Sequence, residues 1–506
     1  MFPAVPDPAL AELGRTEGSP ATLAFLARDQ DTRRLLLLRA LLDAAETADA
    51  DICPAGARTR LRDDWELLAE ADRARPGPEA EYGPARGEHS EEGRARGPAP
   101  RPDGMSPARA RLLHPLVGPL VRRCLRGLDT RDQDGHPPDR RSRELGRGLA
   151  HFGAVAAVAA ARAGIGFSVR LTARDGVLAL PSLGALHTAV SGDAPVDVVH
   201  RRGTLTLRQP GAADAVVHLE SDTGAWSGAP AWTSAYALPG LLPGAGPVPL
   251  DDLDPYRTDS GGPHRQGLGG PVTLDHAERK RWLQSWSGTA HLLRLGGEHR
   301  LAEAHHLLRC LVPLAAPPGP SREGHDTGGY SATRREAFGA VLSSTPPTPT
   351  GFAATLVHEL QHTKLGALGD LVTLHHAGDE ARYFAPWRSD PRPYGGLLQG
   401  AYSHLALADF FQRCALALGH PPHRESAWAQ HARYREQVGA VLPAIVGSDD
   451  LTPQGRRFVD QMVAVYERLA EHPPPRGQTA RAQEYVRAAR GLWLQRHGGE
   501  LRQSRD

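Results

Sequence analysis

Apolar positions recur every third or fourth residue over long stretches of this chain, a spacing that predicts amphipathic helices. The expected helical stretches are 20–46, 106–128, 141–163, 274–314, 350–374, 396–418, 425–445, 452–471 and 479–495. From Phe167 the period drops to two. Phe167, Val169 and Leu171 alternate with polar neighbours, Arg174-Asp175-Gly176 supplies a turn, and Val177 to Leu180 is expected to return as the other half of a hairpin. Val196 to His200 and Thr204 to Arg208 flank Gly203 as a second hairpin, and 215–219 reads as a further strand. A short strand is expected at 337–343, stopped by Pro346, Pro347 and Pro349. The pattern is that of an α+β protein, mainly helical, with one small antiparallel β-region. It divides the chain into a helical stretch 1–165, the β-region 166–249, and a C-terminal part 250–506.

Composition changes this picture at one place. Residues 71–104 are Arg, Pro, Gly, Glu and Ala with almost no large apolar side chain, so a disordered insert is expected there. Over the whole chain 40 % hydrophobic residues supply enough material for a core, and a formal net charge of +1 over 506 residues gives no reason to expect nucleic-acid binding. Lys280 and Lys364 are the only lysines, and neither follows a glycine in a phosphate-loop setting, which excludes P-loop nucleotide chemistry. Cys53, Cys124, Cys310 and Cys414 form no Cys-x-x-Cys pair and read as reduced thiols. The longest apolar helical run, Phe152 to Ala161, is about half a membrane span, and the N-terminus has no signal-peptide pattern. The expectation is a cytoplasmic protein with no membrane segment.

One segment carries chemistry: Val357-His358-Glu359-Leu360-Gln361-His362. On a helix, His358 and His362 lie roughly 6 Å apart along the axis and about 40° apart around it, so both imidazoles can reach one metal ion. Glu359 is placed to take a proton from metal-bound water or to orient a ligand. A third ligand is needed. Asp370 lies too far along the same helix, His375 and His376 read as surface residues at the helix end, and Glu380 has no defined direction. The expected third ligand is His404, on the next long helix, with Gly400 one turn earlier permitting a close backbone approach. Such a set suits Zn(II) and Fe(II) alike. Between the two helices runs Tyr383 to Pro393, where Arg388 and Arg392 are framed by prolines. A rigid guanidinium there suits a carboxylate, and a plain Arg388–Asp390 surface pair is the alternative.

From about Leu250 to Phe411 the chain resembles the HEXXH-motif family of peptide-modification proteins found in actinobacterial clusters for ribosomally made, modified peptides. The resemblance rests on Leu253-Asp254-Pro255-Tyr256-Arg257, Ala337-Phe338-Gly339-Ala340-Val341, Leu356 to Leu365, Asp370-Leu371-Val372, Ala385 to Pro393 and Gly396 to His404. It implies a zincin-like motif helix beside a short strand and a catalytic region within 250–506. It also implies an Fe(II)- and 2-oxoglutarate-dependent peptide β-hydroxylase. On that basis His358, His362 and His404 would bind iron, Arg388 or Arg392 would hold the 2-oxoglutarate carboxylate, and a precursor peptide would be the substrate. A radical-SAM peptide maturase is the implied partner. Two readings from other classes stand beside it: a zinc metallopeptidase with Glu359 as general base, and a non-catalytic peptide-binding partner with a structural metal.

Overall fold

The computed structural model describes residues 4–74, 105–129, 138–220, 223–258, 270–316 and 329–497. Helices dominate over short strands, giving an α+β protein that is mainly helical. From residue 75 onward the insert expected at 71–104 lies outside the described residues, while 71–73 close the helix Ala55–Arg73. Two compact units share the chain: residues 1–30, 275–308 and 314–506 form one, and 31–274 with 309–313 form the other.

In the second unit the helix Pro138–Arg162 serves two cores at once. Phe152, Val155, Ala156 and Ala159 join the cluster made with the neighbouring helices, through Leu41, Leu68, Val121 and Cys124. Ala154, Ala157, Val158 and Ala161 pack instead on the strands, against Leu171, Val196, Val198 and Val217. A helix buried on both sides needs apolar residues all round, and alanine lets both layers approach closely. The run Phe152 to Ala161 is therefore a core element; among the described residues no helix is long and apolar enough to cross a membrane.

The strands of this unit form a five-stranded antiparallel sheet in the order Phe167–Ala173, Ala194–Arg201, Thr204–Arg208, Ala215–Leu219, Ala225–Trp226. The expected hairpin at 196–208 is present, with Arg202 and Gly203 at φ 50° and 75°, the left-handed pair that a two-residue turn requires. The earlier hairpin differs from expectation. The turn exists, with Asp175 and Gly176 at positive φ and Arg174 bridged to Val177, but Phe167–Ala173 pairs with Ala194–Arg201 along its whole length. Val177–Leu180 leaves to a separate sheet with Gly184–His187 and Trp232–Ser234. The helix expected over 106–128 is likewise two, Pro107–Leu112 and Val117–Leu128, because Pro115 disfavours helical backbone at His114.

In the first unit the expected helices are present as Pro349–Leu371, Tyr394–Ala417, Pro421–Val446, Pro453–Arg468 and Arg476–His497. The all-helical reading of 274–314 ends early. Helices His276–Trp286, Thr289–Leu295 and Glu298–Leu307 are followed by a strand, Cys310–Leu314, which is buried at every position and up to Pro313 belongs to the other unit. Continuous burial erases the alternation that announces a strand. The expected strand at 337–343 is Ala340–Ser344, paired antiparallel with Ser331–Thr333.

The motif helix Pro349–Leu371 starts where Thr348 accepts a hydrogen bond from Gly351 N–H and Pro349 fills the first turn. Its Phe352 is wedged edge-on between Trp282 and Trp286. Another face docks on a buried ionic cluster. Gln361 Nε2 and Lys364 Nζ both donate to Glu303, which also pairs with Arg300, and Lys364 further donates to the carbonyls of Thr16 and Glu17 at 3.0 and 3.2 Å. Burial pushes the Lys364 pKa down to about 8, with Glu303 opposing and Arg300 adding to the effect. In the unfolded chain the same group holds its proton to about 10.4. Between those values the unfolded chain binds the extra proton, so the Lys364 contribution to stability grows as pH rises from about 8 to about 10. Urea midpoints of the wild type and of Lys364→Met are expected to diverge in favour of the wild type across that window. A constant difference would show that Lys364 titrates normally.

Candidate metal centre

With Gln361 and Lys364 committed to the ionic cluster, the helix turns His358, Glu359 and His362 toward open space. The Nε2 atoms of His358 and His362 stand 3.1 Å apart, the separation of two ligands that share an ion. Burial, reinforced by His362 and His404, drives the His358 pKa well below its usual value, so its imidazole is neutral and keeps a lone pair. His362 is held from behind: its Nδ1–H donates to Gln399 Oε1 at 2.9 Å, which leaves Nε2 as the free lone pair facing His358. Gln399 comes from the helix Tyr394–Ala417, the same helix that carries His404.

His404 is buried, with its ring centroid 5.6 Å from that of His358. Burial, then His362 and Arg433, lowers its pKa to about 3. Its Nδ1 has no hydrogen-bond partner, an unmet need that a metal ion would satisfy. No choice of one nitrogen from each of the three imidazoles brings them all within 4.8 Å of one another, so one ion shared by all three requires His404 to turn toward the pair. What fixes His404 is Trp387, its ring 4.4 Å away, together with Tyr434 at 5.1 Å. Gly400 makes this possible: a Cβ there would fall 2.5 Å from the Trp387 ring. The close approach expected at Gly400 is thus made by an indole.

Glu359 is 2 % exposed. Burial raises its pKa, while His362 and hydrogen bonds from Ser331 and Thr333 pull the other way. Ser331 O–H donates to Oε1 at 2.7 Å, and Oε2 has no partner. Oε1 lies 3.9 Å from His358 Nε2.

Two cavities meet at this group. The larger, about 540 Å³, runs along Ser331–Thr333 and is floored by His358, Glu359, His362 and Gln399. The smaller, about 210 Å³, is walled by His358, His404, Trp387, Ser344, Arg433 and Tyr434, among others. Neither is lined by Arg388 or Arg392. Arg388 grips Asp390 at the surface through contacts of 2.9 and 3.3 Å, and Arg392 lies 3.6 Å from the same carboxylate. Arg334 and Arg335 line the larger cavity but are paired with Glu336 and Asp370, while the arginine of the smaller chamber is Arg433, on the helix Pro421–Val446, its guanidinium 4.9 Å from the Tyr485 ring centroid. Nothing in the sequence sets Arg433 apart from the many other arginines.

The remaining candidate ligands are held elsewhere. Asp370 is bound by Arg335 and by Gln30 Nε2 at 2.9 Å; His375 packs on Tyr394; Glu380 is exposed beside Arg382. Compared with protein-family models, the chain matches none, and compared with curated proteins it finds no match either. Any functional assignment starts from this pair of histidines, their carboxylate neighbour and the two cavities that share His358.

Proposed function

We propose that the chain is an Fe(II)- and 2-oxoglutarate-dependent oxygenase that hydroxylates the β-carbon of a side chain in a ribosomally made precursor peptide. The observation that carries this reading is the pair of cavities sharing His358, one an open groove along a strand edge and the other a small chamber containing Arg433. A hydrolase needs a groove and a water; a second, cationic chamber beside the histidines suits a small carboxylate cosubstrate. The resemblance to the HEXXH-motif peptide-modification family points the same way.

The residues fit such an ion: a neutral His358, a His362 whose tautomer Gln399 fixes, and a His404 with an unmet Nδ1. His358 and His362 would hold it, joined by His404. The bound ion would supply oxygen activation coupled to decarboxylation of 2-oxoglutarate to succinate. The chain's own residues do the rest. Arg433 takes the anchoring role in place of Arg388 and Arg392, binding the far carboxylate bidentately. Trp387 and Tyr434 exclude water around His404. The strand Ser331–Thr333 offers its outer edge to an extended peptide, main chain to main chain. Glu359, tied to Ser331, couples the position of that strand to the His358 side of the centre.

One observation favours a second reading. A buried glutamate with a raised pKa beside a histidine pair suits the general base of a zinc metallopeptidase. Protein purified without oxygen and loaded with Fe(II) is expected to release succinate from 2-oxoglutarate when air is admitted. Glu359→Gln is expected to lower that rate about 10–100-fold, as a residue acting behind the ligands does. Peptide-bond cleavage with Zn(II) in the absence of 2-oxoglutarate, lost on the same substitution, would establish the peptidase instead.

A further inference from the structure

The unit that contains residues 31–274 holds a second set of metal-ligating side chains. His114 lies in the break between the helices Pro107–Leu112 and Val117–Leu128, Asp251 follows the strand Val248–Leu250, and Cys310 opens the strand Cys310–Leu314. Three distant points of the sequence converge: one donor atom from each residue lies within 4.8 Å of the other two. The convergence is built by backbone. Leu250 pairs in parallel register with Leu311, and Asp251 N–H donates to Leu311 O at 2.7 Å, which sets Asp251 beside Cys310. Arg34 and Arg309 both donate to Leu113 O and so position the His114 turn.

The donor atoms have the disposition of co-ligands. His114 Nε2 and Asp251 Oδ2 are 3.1 Å apart, and the Asp251 carboxylate also faces the Cys310 thiol. Cys310 is fully buried, and its thiol pKa is pushed well up by burial and by Asp251, with Arg34 opposing. We propose that His114, Asp251 and Cys310 form a binding site for a borderline-soft divalent ion of the zinc class, distinct from the His358–His362 pair. An imidazole, a carboxylate and a thiolate are a donor set that selects Zn(II) over Mg(II) or Ca(II), and their two negative charges neutralise the ion in a buried place. Binding displaces the Cys310 thiol proton to solvent. The His114 ring proton sits on Nδ1 in the bound state, which costs the 3.4 Å approach of Leu116 N–H to that atom. The role is structural, joining a helix break to two strands.

Cobalt(II) is the probe, because a thiolate ligand gives it a near-ultraviolet charge-transfer band that histidine and carboxylate do not. The full chain, without a histidine tag and kept reduced under nitrogen, is titrated with Co(II). The band is expected to saturate with one thiolate-bound ion per chain, to release one proton per ion from Cys310, and to collapse on addition of Zn(II). The double variant His358→Ala, His362→Ala is expected to keep the band. Cys310→Ser should lose it, and Asp251→Asn should weaken cobalt binding by at least the roughly 10–100-fold that loss of a mere orienting partner costs. Absence of the band in folded wild-type protein, or its survival in Cys310→Ser, overturns the site. The wild-type titration decides the question even where a variant fails to fold. The proposal stands apart from the oxygenase reading, since succinate release reports only on the other centre.

Discussion

Replacing His362 by alanine is expected to abolish iron binding at the histidine pair, and turnover with it. The pair is two-sided: Nε2 faces His358 Nε2 at 3.1 Å while Nδ1 donates to Gln399. Alanine removes one of the two ligands that already stand at coordination distance, and His404 cannot compensate without leaving its packing on Trp387 and Tyr434. A milder companion tests the cause. Gln399→Leu keeps both imidazoles but frees the tautomer of His362, and losses of orienting partners cost about 10–100-fold in affinity. Equilibrium binding of Fe(II) under nitrogen reads both variants. Unchanged iron affinity in His362→Ala would remove the centre from the HExxH motif altogether.

Arg433→Gln carries the second large effect. A bidentate guanidinium–carboxylate pair in a partly buried site contributes about 1.5–3 kcal/mol per charged hydrogen bond, so the half-saturating 2-oxoglutarate concentration should rise by about 10²-fold or more. Iron affinity should be unchanged, because Arg433 lines only the smaller chamber and is not one of the groups that would hold the ion. Arg388→Gln should leave both quantities alone, since its guanidinium is occupied by Asp390 at the surface. Steady-state titration of the cosubstrate separates these outcomes. If Arg388→Gln impaired cosubstrate binding and Arg433→Gln did not, the loop 383–393 would be the anchor after all.

The parts of this molecule that were legible in the sequence are those set by neighbours along the chain. The motif helix announces itself through its apolar stripe and the four-residue histidine spacing, while its Thr348 cap is seen only in the structure. The hairpin at 196–208 is declared by Gly203 between its two alternating runs. Illegible were the features decided by partners far away. Asp175-Gly176 makes its turn as expected, but the strand before it pairs with 194–201, where seven consecutive partners outweigh a two-residue reversal. Cys310–Leu314 hides because a strand buried on both faces has no polar alternation to show. Gln399 is five positions before His404, on the wrong side of it for any motif, and it matters only because two helices cross. In the loop 383–393 the arginines drew attention by their charge, while the residue that reaches the histidines is the apolar Trp387.

Lys364 has a practical consequence outside catalysis. The chain has two lysines, and the other, Lys280, is exposed on the helix His276–Trp286. In the folded protein an amine-directed reagent therefore meets one lysine side chain, because Lys364 is fully buried against Glu303 and the Thr16 and Glu17 carbonyls. Lys280 becomes the one accessible lysine side chain for a dye or a surface tether, beside any free α-amine, with no engineered cysteine. A brief pulse of acylation reads the rest: mass added at Lys364 counts the molecules in which the motif helix has come away from its ionic cluster, residue by residue and without a spectroscopic probe.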